Sequence, residues 1–191
     1  MALPRAYSHP GVRLIKPAAQ GDYDGLCGLY CLINAVRLVL APHGELGLQD
    51  LRVLFNAGVG LLARRGALQS AVQSCVTEQD WPKLATAVVK AAQTVANLPI
   101  RLERPRLPGT ETARDTLHRI DALIASGEVP CVFLRGQTRH YTVISGYTPA
   151  SLILFDSFGY RRVLRSSCGT RKRNNLLHRL HLKSTFTVSV R

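Results

Sequence analysis

The sequence predicts an α+β fold in which an N-terminal helical half, residues 20–98, packs on a C-terminal antiparallel sheet, residues 99–191. Apolar residues recur at helical spacing through the first part, whereas β-branched and aromatic runs parted by turn residues fill most of the second. Separate runs of helices and strands are typical of this class. At 191 residues the chain is predicted to be one domain, residues 1–191, with a core of ordinary size.

The helical half begins with a loop rich in turn residues, Gln20 to Gly25, that leads into an apolar helix. This helix is predicted from about Asp24, its N-cap, to Leu40. Its apolar stripe is broad, which predicts a central and well-buried helix. Further helices are predicted at 48–55, at 61–76 and from Trp81 to about 97, the last with Asp80 as its N-cap, and an edge strand is predicted at 12–16.

The sheet half is predicted to contain several short strands. They lie at 99–103, 129–134, 140–146, 151–155, 160–164 and 184–190, with a helix at 110–126 before the second strand and a basic loop at 166–175. The strands from 129 to 155 are expected to follow one another as an antiparallel meander. A nucleophile on the first helix would then face residues on these strands.

The composition predicts a cytoplasmic protein with reduced thiols. No apolar stretch approaches the about 18 residues that a membrane span requires, and the N-terminus has no signal-peptide pattern. The five cysteines are odd in number and irregularly spaced, which favours a reducing compartment and predicts neither a zinc site nor any other cofactor.

The charge distribution predicts affinity for acidic partners. The formal net charge is +13, and the chain after Asp156 has nine Lys and Arg and no Asp or Glu. Such a surface attracts nucleic acid, anionic lipid or an acidic protein alike. The run Arg171-Lys-Arg173 is either a solvated loop or a docking patch for such a partner.

The candidate nucleophile is Cys27, at the mouth of the first helix. The positive end of the helix dipole and the unpaired N–H groups of the first turn favour the thiolate. Cys31 lies one turn later inside the apolar run, where core packing is its expected role.

A cysteine nucleophile also needs a base, a group that orients the base, and donors for the oxyanion. His140, at the start of a predicted strand, is the candidate base. Asp156, at the end of the next strand, lies at the same end of the hairpin and is the candidate orienting group. Gln20, seven residues before Cys27, is the candidate oxyanion donor together with the Cys27 N–H.

Five segments resemble the papain-like cysteine peptidases: Gln20, Cys27-Gly-Leu-Tyr-Cys-Leu32, Gly127-Glu-Val-Pro130-Cys-Val-Phe, Arg139-His140-Tyr-Thr-Val-Ile-Ser-Gly-Tyr147 and Leu154-Phe-Asp156-Ser-Phe-Gly159. Within them the chain is most similar to the bacterial double-glycine leader peptidases and more loosely to the Josephin-type ubiquitin hydrolases. The resemblance implies a papain-like fold with Cys27 as nucleophile, His140 as base, Asp156 as orienting residue and Gln20 in the oxyanion hole. It departs at Leu26, where the leader peptidases have Asp or Asn.

These observations predict a bacterial-type thiol hydrolase that cleaves a peptide or isopeptide bond. The resemblance implies a protein substrate with a Gly-Gly-like tail, either ubiquitin-like or a leader peptide. Two alternatives remain open. One is an acyltransferase, a deamidase or a transglutaminase-like effector with the same three residues, and the other is a nucleic-acid or partner-binding module on an inactive peptidase scaffold.

Overall fold

The computed structural model describes residues 3–21, 24–107, 112–170 and 176–190. Within these ranges the chain has five α-helices and a nine-stranded sheet, so the α+β class is confirmed. The helices are α1 (Cys27–Leu40), α2 (Leu48–Arg64), α3 (Leu68–Gln73), α4 (Trp81–Ala96) and α5 (Ala113–Ala125). The strands are β1 (Tyr7–Ser8), β2 (Ile100–Glu103), β3 (Val129–Gly136), β4 (His140–Tyr147), β5 (Ser151–Phe155), β6 (Arg162–Leu164), β7 (Cys168–Gly169), β8 (His178–Leu180) and β9 (Phe186–Val190).

The sheet is antiparallel except for the short β7–β8 pair. Its main order is β2-β9-β3-β4-β5-β6, so the predicted meander from β3 to β5 is confirmed. β9 lies between β2 and β3, well inside the sheet. β8 continues on the same side of β3 beyond β9, and β1 adds to the end of β4. None of the helices in the described ranges has the length and apolar character needed to cross a membrane.

Helices cover both faces of the sheet. On one face α1, α2 and α4 pack into the larger core with side chains such as Phe133 and Tyr141. On the other face α5 packs through Leu117, Ile120 and Ile124 into a second core. Successive residues of β3 point to opposite faces, as the two-residue period of a strand requires. The cover provided by α5 explains why β4 is buried along its whole length.

α1 is the central helix, and it also holds the loop that precedes it. All but two of its residues are buried, which confirms the prediction from its broad apolar stripe. Asn34 is fully buried on α1, where its Oδ1 accepts from the Ala18 N–H at 2.7 Å and its Nδ2 donates to the Ala18 carbonyl at 3.2 Å. A buried amide paired in this way leaves no polar group unsatisfied. The loop carrying Gln20 is therefore tied to α1, the helix that begins with Cys27.

Several predicted elements of the helical half were wrong in detail. Residues 12–16 do not form a strand: a 3-10 helix spans Pro10–Arg13, and His9 Nδ1 accepts from the Gly11 N–H to start the turn. The helices predicted at 48–55 and 61–76 are instead one long helix, α2, followed by the short α3. Gly58 does not break α2, because it lies against Leu29 of α1.

One of the two predicted N-caps differs from the structure. α1 begins at Cys27 rather than Asp24, because the Asp24 carboxylate accepts from the Leu26 N–H and forms a turn before the helix. Asp80 does occupy the N-cap position of α4, as predicted, but its carboxylate bonds Arg65 and Thr77 rather than the N–H groups of the first turn.

In the sheet half, the predicted loop at 166–175 contains β7, and β8 at 178–180 was not predicted. Both strands are only two or three residues long, which is too short for an alternation of apolar and polar residues to be recognised in the sequence. The start of the helix predicted at 110–126 and the run Arg171-Lys-Arg173 lie outside the described residues. α5 is described from Ala113, and the side chain of Thr112 caps it by accepting from the Asp115 N–H.

Candidate active site

Cys27 is the first residue of α1, and its side chain is only 4% exposed. The loop before it lies close to α3: the Gly25 N–H donates to the Val72 carbonyl at 2.5 Å. A β-carbon at Gly25 would come within 2.6 Å of the Ala71 carbonyl oxygen, so this approach requires glycine. The contact places the segment that follows α3 beside the thiol.

His140 and Asp156 meet as predicted. His140 Nε2 lies 2.6 Å from Asp156 Oδ2, with the two residues 8% and 3% exposed. The register explains this, because Val143 pairs with Phe155 and extending that pairing by one residue sets Asp156 across from Thr142, two residues from His140. The two side chains therefore lie on the same face of the hairpin, which the sequence alone does not determine.

Asp156 is held by the turn that follows β5. Its Oδ1 accepts from the N–H groups of Phe158 at 2.9 Å and of Tyr160 at 3.2 Å, which leaves Oδ2 for the imidazole. Burial opposes its ionisation, but the hydrogen bond and charge of His140 and the Phe158 N–H bring the Asp156 pKa below its ordinary value. An ionised carboxylate only accepts, so Nε2 of His140 carries a proton and Nδ1 is the ring nitrogen left for chemistry.

The electrostatics favour a thiolate at Cys27. The thiol of Cys75 makes the largest contribution, burial acts against it, and His140 and the backbone N–H of Tyr141 assist, so the Cys27 pKa falls to about 5. Burial would lower the pKa of His140, but Asp156 and Cys27 raise it to about 9. Between these values the site holds a thiolate beside an imidazolium, which is the reactive form of a cysteine nucleophile.

Cys75 is the residue of this site that the sequence did not reveal. Its sulfur lies 3.9 Å from that of Cys27 across 48 positions of the chain. Its own pKa is raised by the interaction with Cys27 and by burial, so Cys75 stays protonated and donates to the thiolate. A lone cysteine after a short helix carries no signal of such a role, and the only hint in the sequence is Gly25, which lets the two segments meet.

Gln20 contacts Ser157, the residue that follows Asp156. Its backbone N–H donates to the Ser157 carbonyl at 2.9 Å, and its Oε1 accepts from the Ser157 hydroxyl at 3.4 Å. Its Nε2 donates to the Asp24 carbonyl. One of the two amide hydrogens is thus engaged within the loop, and the other is free of any described partner.

Cys31 is in the core, as expected. It is 2% exposed, and burial followed by the neighbouring Cys131 keeps its pKa well above the ordinary value. A thiol in that state is a poor nucleophile. In the parts of the chain that the structure describes, no three His, Cys, Asp or Glu side chains form a group that could hold a metal ion.

Aromatic side chains surround His140 on two sides. Phe158 and Tyr160 approach its ring edge-on and are themselves 56% and 41% exposed. Beneath the start of β4, Tyr141 is stacked between Trp81 and Phe133, with ring centroids at 4.1 and 4.4 Å. Trp81 Nε1 donates to the Ser184 carbonyl at 2.7 Å, so this stack links α4 to the segment before β9. The rigid stack fixes the strand that carries the imidazole.

Comparison of the sequence with models of protein families found no match, and comparison with curated proteins found none either. The functional interpretation therefore rests on the residues and the geometry described above.

Proposed function

We propose that this protein is a cytosolic, bacterial-type thiol hydrolase of papain-like fold that cleaves a peptide or isopeptide bond. The observation that carries the proposal is the 2.6 Å bond between His140 and Asp156 beside a Cys27 thiol whose pKa is lowered to about 5. A nucleophile, a base and a group that orients the base are the parts that such chemistry needs. All three are at least nine-tenths buried, which strengthens the electrostatic interactions among them.

Acylation follows from this arrangement. The Cys27 thiolate attacks the carbonyl carbon, and the carbonyl oxygen becomes an oxyanion near the first turn of α1. The first N–H groups of a helix have no intrahelical acceptor, so the Cys27 N–H is a donor for that oxyanion, with the second amide hydrogen of Gln20 as its partner. His140 then gives its Nδ1 proton to the amine nitrogen, the C–N bond breaks, and a thioester remains on Cys27.

Deacylation uses the same groups in reverse roles. Neutral His140 accepts a proton from water at Nδ1 while the oxygen attacks the thioester carbon. The C–S bond breaks, the acid leaves, and the thiolate and imidazolium are restored. Throughout, Asp156 keeps the Nε2 proton in place and stabilises the positive ring.

The substrate proposed from the resemblance is a protein or peptide with small residues such as Gly-Gly before the scissile bond. An electrophile-tipped peptide ending in Gly-Gly tests both the chemistry and this preference. We expect one adduct by intact mass, located on Cys27 by peptide mapping.

Four variants make the test specific. Cys27→Ala should abolish the adduct, and His140→Ala and Asp156→Asn should slow its formation strongly while the protein stays folded. Cys31→Ala is the matched control, because it removes a cysteine one turn away on the same helix and should keep normal labelling. Full turnover by Cys27→Ala would end the proposal. Once a substrate is found, products that carry a transferred amine instead of water would identify an acyltransferase with the same three residues.

A further inference from the structure

A cavity of about 750 Å³ opens beside the nucleophile. The segment after α3 forms one wall, and the ends of β3, β4 and β8 form the other. Cys75 lines it and lies 3.9 Å from the Cys27 sulfur, and Tyr141, whose N–H faces that sulfur, lines it too. A substrate bound at Cys27 would therefore extend into this cavity.

The cavity is strongly basic. Arg135 at the end of β3, Arg139 in the following turn and Arg179 on β8 all line it, and Glu78 is the only carboxylate among its lining residues. Arg135 is already engaged, since it contacts Glu78 and lies over the Phe133 ring at 5.5 Å. Within the described ranges, no carboxylate pairs with Arg139 or Arg179. Two of the guanidinium groups in the cavity thus have no ion-pair partner among the described residues.

Two of these arginines are partly withdrawn from solvent: Arg135 and Arg179 are half-buried, whereas Arg139 is exposed. Arg135 is only 29% exposed, and burial, together with the nearby positive charges of Arg179 and Arg139, lowers its pKa. Like charges gathered around one concave space, with apolar walls such as Phe133, concentrate the field there. The guanidinium groups can form bidentate hydrogen bonds with a carboxylate that enters the cavity.

We propose that this cavity binds an acidic peptide segment of the substrate, with Asp or Glu side chains held by Arg139 and Arg179 next to the scissile bond. The inference rests on the proposed function, because the occupant is taken to be joined to the acyl group that Cys27 attacks. The volume suits a few residues of peptide. Phe133 and Tyr141 are buried, 5% and 0% exposed, so they offer no face on which nucleic-acid bases can stack.

Binding to the full-length Cys27→Ala protein tests this without catalysis. The probes are the dye-labelled octapeptide Ala-Glu-Ala-Glu-Ala-Glu-Gly-Gly and its counterpart with glutamine for each glutamate, compared by fluorescence anisotropy. We expect the glutamate peptide to bind at least about tenfold more tightly at low salt, with the difference shrinking as salt rises. Added Arg139→Glu or Arg179→Glu should remove most of the preference.

Arg52→Glu is the matched control, because it makes the same charge change on an exposed part of α2. It should leave the preference for glutamate intact, and far-UV circular dichroism should show that all variants are folded. Three results would overturn the proposal: equal binding of the two peptides, no binding of either below about 1 mM, or the same loss from Arg52→Glu as from Arg139→Glu. Stronger competition by a single-stranded oligonucleotide than by the glutamate peptide would also overturn it.

Alkylation of the wild-type protein by iodoacetamide separates this inference from the proposed function. The reagent is small and uncharged, so it reports on the thiolate and not on the cavity. Labelling of Cys27 that depends on His140, combined with equal peptide binding, would remove the acidic-substrate inference and leave the hydrolase. Labelling that does not depend on His140 would remove the hydrolase, while binding to Cys27→Ala would still report on the cavity.

Discussion

At the scale of single residues, the Cys27 thiol is stabilised as an anion chiefly by Cys75, with further contributions from two groups at the start of β4. His140 and the Tyr141 N–H add to the effect of Cys75, whereas burial favours the neutral thiol and raises the Cys27 pKa. The three partners come from the segment after α3 and from the start of β4. The reactivity of Cys27 therefore depends on how these segments are held against α1.

The first prediction concerns pH. We expect the rate of Cys27 alkylation by iodoacetamide to be half-maximal near pH 5, because the thiol is protonated below its pKa of about 5 and is a thiolate above it. Substrate turnover should also fall above about pH 9, where His140 loses the proton that the leaving amine needs. Cys168, whose pKa burial raises to about 11, is the internal control and should react only in strong alkali. A midpoint for Cys27 near 8.5, the value of a free cysteine, would contradict this assignment.

The second prediction assigns a positioning role to Cys75. Cys75→Ala removes the donor 3.9 Å from the Cys27 sulfur, so the half-maximal pH of alkylation should move upward by about one unit or more. Cys75→Ser keeps a donor and should restore part of the shift. Cys168→Ala is a control, since Cys168 belongs to the core on the other face of the sheet. An unchanged midpoint in Cys75→Ala would show that Cys75 only fills space.

Some of this residue-scale detail is readable from the sequence, and some is not. Cys27, His140 and Asp156 have local signals: a helix mouth, a strand start and a strand end that share one hairpin. Cys75 and the three cavity arginines have none, because their roles come from contacts between distant segments. Gln20 could be predicted in part. Its place near the site follows from its position in the loop before Cys27, but its contacts with Asp24 and Ser157 are seen only in the structure.

At the scale of elements, α1, the helix that begins with Cys27, is positioned by close packing against α2. A β-carbon at Gly58 would lie 2.4 Å from Leu29 Cδ1 and 3.2 Å from Leu84 Cδ1. Both leucines are fully buried, so neither can move away without disturbing the core. The sequence analysis ended the first of two helices at residue 55, because helix propensity alone does not register a close approach between two helices.

The third prediction uses two glycines on α2. Gly58→Ala should destabilise the protein by about 1–3 kcal/mol through overpacking. Gly60→Ala is the matched control, since its β-carbon would meet only the end of the flexible Arg64 side chain at 3.3 Å, and the better helix propensity of alanine should stabilise by up to about 1 kcal/mol. Urea unfolding measures both. Equal effects of the two substitutions would mean that the contact with Leu29 does not constrain α1.

At the scale of the whole molecule, neighbouring strands of the sheet come from parts of the chain that are far apart in sequence. β9, near the end of the described chain, lies between β2 and β3, and α5 covers the face opposite the nucleophile helix. The alternation of apolar and polar residues identifies these strands. It does not encode the order of the strands in the sheet or the packing of helices on both of its faces, because both depend on contacts between distant segments. The order of the hairpin strands was predictable because short connections favour neighbours in space.

The last prediction follows from the interior position of β9. Phe186 and Val188 are buried in the larger core, and β9 pairs with β2 from Ile100 to Glu103 and with β3 from Val129 to Cys131. A protein ending at Thr185 would expose both neighbouring strands as unpaired edges, so we expect it to lose cooperative thermal unfolding and to aggregate. Removal of residues 1–5 is the control, because β1 begins only at Tyr7 and Pro4 and Arg5 are exposed. Retention of the full-length unfolding midpoint by the shortened protein would show that the sheet does not require its inserted strand.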